Sequence, residues 1–597
     1  MKFNKIWIAS LSLFTAVGFS SCLDFDNPGD EFMGNQSQGD DTVYHGQPDS
    51  IDYRKAITEE GFDEALTALN DLFYAGFTGQ YALRGGKEGQ FPGDHSYQRQ
   101  FSLGPDNYAQ YAVVPHYDFM YGQLTSTYNI SPDFNPGPYS CYNAFIKNSF
   151  VPIVNHPKID SIPEMKALYL LLFDYATIEQ VDLYGPLPYT DYKLNKQDSP
   201  FTYDDLQTIY FKVEENIDTI VNCFKHFDTK PQWYKDKVQD LLYQNFQINN
   251  DLFTGQTGFE TYIRLANSLK LRMAIHIVKV DPVTAKKWAE DAVASGVVED
   301  TKHESALYES MGFTHPLVNI YKAWGDARLS ASFESLLISL KHPYAEYMFL
   351  KNSRDIENKT DKTITPAETR IIGIREGTLV GAGQGASNPY TAYSMVNTDG
   401  RILGQAPLYI MKMSEVDFLR AEGALRGWNM GGTAQFFYER GIDNGYLEDR
   451  GSAHTEYTSA MPEYKNLEKP VDYVWKDPQG LTPDMPSVTK IGVKWNEGDS
   501  KEIKLEKIIT QKYIASYPYS YEAWVDMRRT GYPKVFPVLN PDDGDGSLSY
   551  GDLIRRMPFP LNDLSSLQDI QSSGLNALGG QDLQATRLWW DLDVPNF

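Results

Sequence analysis

Amphipathic helices arriving in pairs, separated by long Gly-, Tyr- and Pro-rich stretches, constrain this chain more than any other feature. A first apolar face begins at Phe62-Asp63-Glu64-Ala65-Leu66 and continues through Leu69, Leu72 and Phe73 at spacings of three and four residues. The same periodicity predicts helices over 139–154, 164–181, 203–224, 262–278 and 282–295, with Pro282 at a first turn. Further pairs are predicted at 410–426 with 433–444, and at 503–517 with 520–529. A helix that is apolar on one face only must bury that face on a neighbour, so helices of this kind stack into an array.

The pairing suggests helix hairpins of the tetratricopeptide type, although no regular 34-residue repeat unit recurs. The expected fold is mostly α, a tetratricopeptide-like scaffold of helix pairs with long loop-rich insertions and minor β structure. Three excursions interrupt it, near 75–138, 302–407 and 446–499, with short strands expected at 369–374 and 391–396. Long irregular insertions on a rigid frame commonly carry function.

The N-terminus reads as an export signal. Lys2 and Lys5 precede an apolar run of about 14 residues, followed by Ser20-Ser21-Cys22, too short to span a bilayer. A cysteine directly after small residues makes this a bacterial lipoprotein signal: residues 1–21 are removed and Cys22 carries the lipid, with several acyl chains needed for stable anchorage. Phe19 stands where such signals usually have Leu. Residues 22–58 are polar and acidic and read as a flexible leader to a single helical domain spanning 59–597.

The formal net charge of −25 opposes binding to nucleic acid or anionic lipid surfaces. Cys141 and Cys223 are the only other cysteines and are free to pair, but two thiols make no disulfide scaffold. Aromatic residues are 14% of the chain, with 40 tyrosines, more than core packing demands. Sugar binding in water calls for rings that cover the C–H face of a pyranose beside amides, carboxylates and guanidinium groups that reach its hydroxyls. The first excursion supplies both, with Tyr108, Tyr111, Tyr117 and Tyr121 among Gln98, Arg99, Asn107 and Gln110; Trp475 and Trp495 lie in the third. The candidate ligand-binding residues are Trp324, Tyr108, Tyr111, Trp475, Asn107, Tyr321 and Trp495. Loops around 107–121, 321–324 and 473–495 are expected to converge on one face.

Other chemistry finds little support. The stretch 540–547 is rich in oxygen ligands but lacks the glutamate and glycine spacing of an EF-hand, and reads as a solvated acidic loop. Gly381-Ala382-Gly383-Gln384-Gly385 is followed by Asn388-Pro389 rather than a helix start, unlike a phosphate-binding loop. His303-Glu304 has no second histidine at zincin spacing. No catalytic residue, metal or cofactor is expected. A carboxylate pair for glycoside hydrolysis would be a spatial arrangement, which leaves a lipid-anchored hydrolase as an alternative.

Six stretches, taken in order, resemble the SusD/RagB family of outer-membrane nutrient-binding lipoproteins. They are Asp182-Leu183-Tyr184-Gly185-Pro186-Leu187-Pro188-Tyr189, Ala266-Asn267-Ser268-Leu269-Lys270-Leu271-Arg272-Met273, and Trp324-Gly325-Asp326-Ala327-Arg328-Leu329-Ser330-Ala331-Ser332. The others are the segment from Met413 to Glu422, that from Gln511 to Pro533, and the ending with Arg555-Arg556-Met557-Pro558 and Trp589-Trp590-Asp591. Pro186 replaces the family's usual acidic residue. The resemblance implies about four tetratricopeptide-like helix pairs and no catalysis. It also implies a glycan or, less commonly, a peptide as ligand, and a SusC-like TonB-dependent barrel as partner. Most of the matched residues read as structural; Arg528 and Arg529 are expected to pair with carboxylates such as Glu522 or Asp526.

Overall fold

The computed structural model describes residues 47–85, 93–119, 128, 134–246, 258–307, 314–399, 403, 406–445, 452–541, 545–561 and 566–597. The chain divides into Met1–Val43 and Tyr44–Phe597. Cys22, the signal and most of the leader lie outside the described residues.

The main helices are α1 (Glu59–Gly79), α2 (Asn148–Val154), α3 (Pro163–Tyr184), α4 (Leu206–His226), α5 (Gln232–Phe246), α6 (Glu260–His276) and α7 (Pro282–Ser295). They continue with α8 (Ala331–Ser339), α9 (Met413–Leu425), α10 (Ala434–Asn444), α11 (Ser452–Lys465), α12 (Lys501–Ser516) and α13 (Ser520–Thr530). Successive helices pack as α1 on α2, α3 on α4, α6 on α7 and α9 on α10, and the pairs join through α2–α3, α4–α6, α6–α9 and α9–α12. This is the expected array of helix pairs.

Local chemistry sets the ends. Asp205 accepts the Thr208 N–H at the start of α4, Asp281 accepts that of Thr284 at α7, Thr433 that of Phe436 at α10, and Ser500 that of Ile503 at α12. Gly185 ends α3 at φ 94°, a conformation that costs other residues a Cβ clash.

All 22 residues of α3 are buried, so its polar side chains must each find a partner. Glu179 pairs with Arg84, Asp174 accepts from Tyr189 and Asn216, and Asp182 accepts from Tyr210 and Trp590. A charged line continues from α3 through the array. Arg272 pairs with Glu415, His276 lies between Asp182 and Glu522, Lys512 pairs with Asp526, and Arg529 bridges Glu422 and Asp526. The family-like motifs on α3, α6, α9, α12 and α13 thus meet as one buried network. Arg529 is an ion-pair residue, as expected, whereas Arg528 pairs with no carboxylate among the described residues and donates instead to the Trp524 and Arg555 carbonyls.

Several expectations need correction. Helices α5, α8 and α11 fall where none was predicted. Nine-residue α8 is too short to announce itself by periodicity and depends on its Ser330 cap, and α11 carries an internal Pro462. Where strands were expected at 369–374 and 391–396, only single bridges occur, Ser330 to Ile374 and Phe349 to Val396. Among the described residues the regular β structure is four two-stranded antiparallel pairs, such as Ala112–Val113 with Arg328–Leu329. The end of the leader is held: Lys166 donates to the carbonyls of Gln47 and Ser50, Asp49 pairs with Lys193, and Ile51 is buried. Cys141 and Cys223 are buried free thiols and do not pair.

Candidate functional site

The third family-like stretch begins on a short helical turn, Asn319–Trp324, that Gly325 terminates at φ 76°. The left-handed turn reverses the chain, so that Trp324 stays half-exposed while Asp326 is buried. The Trp324 indole stacks on the His95 imidazole, centroids 4.5 Å apart and planes 18° from parallel. His95 itself is exposed. Beside it, the exposed amide of Asn319 donates to Asp94, whose carboxyl partial burial pushes upward.

Asp326 laces three loops together. Gln98 donates to its Oδ2 at 2.7 Å, His116 Nε2 lies 3.1 Å from its Oδ1, and the Gln384 amide also donates to Oδ1. The exposed Asp118 accepts the Gln384 N–H at 2.9 Å, and Tyr117 N–H donates to the Ala382 carbonyl. Tyr117 keeps 36% of its surface in solvent. The first and second excursions therefore meet at a rim carrying a stacked indole, an exposed phenol, amides and carboxylates. That set suits a neutral polyhydroxylated ligand: rings for its C–H faces, and donors and acceptors for its hydroxyls.

The rest of the motif is structural. Arg328 donates to the carbonyls of Tyr321, Ala327 and Thr391. Ser330 caps α8 by accepting from Ser332 and Phe333, and Ser332 Oγ accepts the Phe536 N–H.

The other predicted ligand residues are core, which corrects their assignment to an exposed face. Tyr108 packs on Trp524 and Tyr128, and Tyr111 on Tyr513 and Phe333. Asn107 donates to the Ser102 carbonyl at 2.8 Å, and Tyr321 is buried in the main cluster. Trp475 donates to the Gly373 carbonyl and packs with Ala331 and Phe536. Trp495 packs on Tyr438 and donates to Glu497. All of these rings but Trp475 join the main core, so the excursions anchor to the helical frame through aromatics where they are poor in aliphatics. Tyr121 lies outside the described residues. His95, Asn319 and Gln384 were not singled out as ligand residues; the one available signal for Gln384 was its Gly-rich loop.

Asp182, His276 and Glu522 approach closely enough to share a cation. They already have other partners: Arg272 and Lys512 face Glu522, while Tyr210 and Trp590 donate to Asp182. Burial opposes charge on His276, but the Glu522 and Asp182 carboxylates outweigh it and raise the imidazole to about 9. The imidazolium is itself the cation of this trio.

No curated protein sequence matches the chain. Among solved structures it is similar to a chitin-binding SusD homolog from Flavobacterium johnsoniae, at TM-score 0.73 and 28% identity over 89% of this chain and 100% of that one. A SusD homolog from Bacteroides ovatus gives TM-score 0.69 and 26% identity over 88% and 99%. One from Bacteroides vulgatus gives 0.70 and 24% over 89% and 100%, a likeness of fold. Among the described residues no helix is long and apolar enough to cross a membrane. The SusD-like family model, described as Susd and RagB outer membrane lipoprotein, matches residues 64–591, and the chain belongs to this family of outer-membrane lipoproteins.

Proposed function

We propose that the chain is a non-catalytic, cell-surface glycan-binding lipoprotein, anchored through Cys22, that captures oligosaccharides and delivers them to a SusC-like TonB-dependent outer-membrane transporter. The observation that carries this reading is the Trp324–His95 stack on a rim where three loops are fixed by one buried carboxylate. A preformed aromatic platform flanked by amides binds a sugar with little ordering cost. A relative that binds chitin, sharing 28% of its residues with this chain, supports the substrate class.

Isothermal titration against a glycan panel that includes N-acetylglucosamine oligomers tests the reading. Stacking one sugar on one ring contributes about 1–2 kcal/mol, so Trp324→Ala should weaken binding about 5–30-fold. Wild-type affinity should be modest, because cargo must be released to the transporter. A peptide pool that binds where no glycan does at millimolar concentration would replace the substrate class. New reducing ends in the same mixtures would replace the binding-only reading with the hydrolase. Copurification of a barrel protein with the tethered chain tests the transporter partnership.

A further inference from the structure

A second cleft, of about 540 Å³, opens between the C-terminal end of α13, the segments 533–538 and 551–555, and the C-terminal tail. Among the described residues six cationic side chains line it against three acidic ones, although the chain as a whole has a formal net charge of −25. Not all of that charge is available. Arg529 is committed to Glu422 and Asp526, and Arg587 pairs with Asp591 at 2.8 Å and with Asp593 at 3.2 Å. Arg555 reaches Asp591 only at 3.4 Å.

Lys279 and Arg528 differ from these. Among the described residues neither pairs with a carboxylate. The Arg528 guanidinium lies 3.8 Å over the Trp524 ring and donates to the Arg555 carbonyl through Nη1, while Nη2 is buried with no hydrogen-bond partner among the described residues. Half-buried Lys279 is pushed down to about 8, by burial first and then by the Arg529 and Arg426 cations, against the opposing pull of the Asp591 and Glu502 carboxylates. The acidic wall residue Glu502 is occupied, accepting from Tyr532 at 2.7 Å and Asn596 at 2.6 Å. Positive charge withdrawn from water and short of counter-charge binds an anion more strongly than exposed lysines do. Pro533, Val535 and Pro537 add apolar wall beside it, as a sugar ring would require.

We propose that this cleft binds the anionic group of an acidic saccharide, a carboxylate or a sulfate ester, through Lys279 with Arg528 and Arg555. The site is separate from the Trp324 rim, and the inference does not depend on what that rim binds.

The test is titration of the full mature chain at low ionic strength with D-glucuronate, D-glucose 6-sulfate and D-glucose. At least one acidic sugar should bind, and which one does identifies the anion. Any heat from glucose should be unaffected by Lys279→Gln, because a neutral sugar at the Trp324 rim does not use the cleft. Lys279→Gln should weaken the acidic sugar about tenfold or more, Lys279→Arg should retain it, and Trp324→Ala should leave it unchanged. The proposal is overturned if neither acidic sugar binds at tens of millimolar, if Lys279→Gln weakens glucose as much as the acidic sugar, if Lys279→Gln binds the acidic sugar like wild type, or if Trp324→Ala abolishes the signal.

Discussion

Tyrosine accounts for much of the unusual composition, and it does so by hydrogen bonding more than by ligand contact. Irregular backbone leaves carbonyls without ladder partners, and burying them unpaired is costly. Tyr513 donates to the Ala109 and Gln110 carbonyls, Tyr521 to Gln100, Tyr519 to Pro407 and Tyr438 to Val493. The rings of Tyr513, Tyr521 and Tyr438 fill the main core while their hydroxyls satisfy distant carbonyls. Tyr513→Phe should therefore destabilise the protein by about 1–3 kcal/mol in urea unfolding. The exposed Tyr550→Phe should stay within about 0.5 kcal/mol. Equal effects at the two sites would remove this explanation of the 40 tyrosines.

At the scale of elements, the capped helices and the loop motifs are one construction. Ser330 ends the family-like loop that begins at Trp324, starts α8, and donates to the buried Glu376. A helix of nine residues has little stability of its own, so its cap matters more than in the long scaffold helices. Ser330→Ala should cost about 1–2 kcal/mol through the lost cap. Sugar affinity at the rim should be retained, because Gln98, His116 and Gln384 still hold Asp326. A loss of affinity larger than the loss of stability would mean that α8, not Asp326, sets the loop.

For the whole molecule, the buried ionic line through α3, α6, α9, α12 and α13 predicts a pH profile. His276, ordinarily near 6.5, is raised to about 9 in the folded chain. Its contribution is complete below about pH 6.5 and is lost as pH rises through about 9. Glu422 runs the other way: burial is outweighed by Arg529 and Arg426, which hold it at about 2, so its contribution fades only as pH falls from about 4.5 towards 2. Asp106 and Asp174, raised by burial to about 7, instead weaken the fold as pH climbs from about 4 to 7. Chemical denaturation should therefore show stability falling between pH 6.5 and 9 in the wild type and falling less steeply in His276→Gln. Parallel profiles would place the loss elsewhere.

The helical class, the paired array and the family motifs were legible because periodic burial and capping are local: Asp281 before Pro282, or Thr433 before α10, act within one turn. The apolar run before Cys22 was an equally local pattern, though it lies outside the described residues. Which aromatics face water was not. Tyr108, Tyr111 and Trp475 share loop sequence and chemistry with Trp324, yet they pack against Trp524, Tyr513 and Phe536, partners that come from far along the chain. Asp326 likewise gathers Gln98, His116 and Gln384 from segments more than 50 residues away, each reached by a single hydrogen bond. The sequence alone determined the scaffold and its class. The tertiary structure decided which rings and which charges stay exposed, because exposure and charge balance are sums over neighbours that only folding brings together.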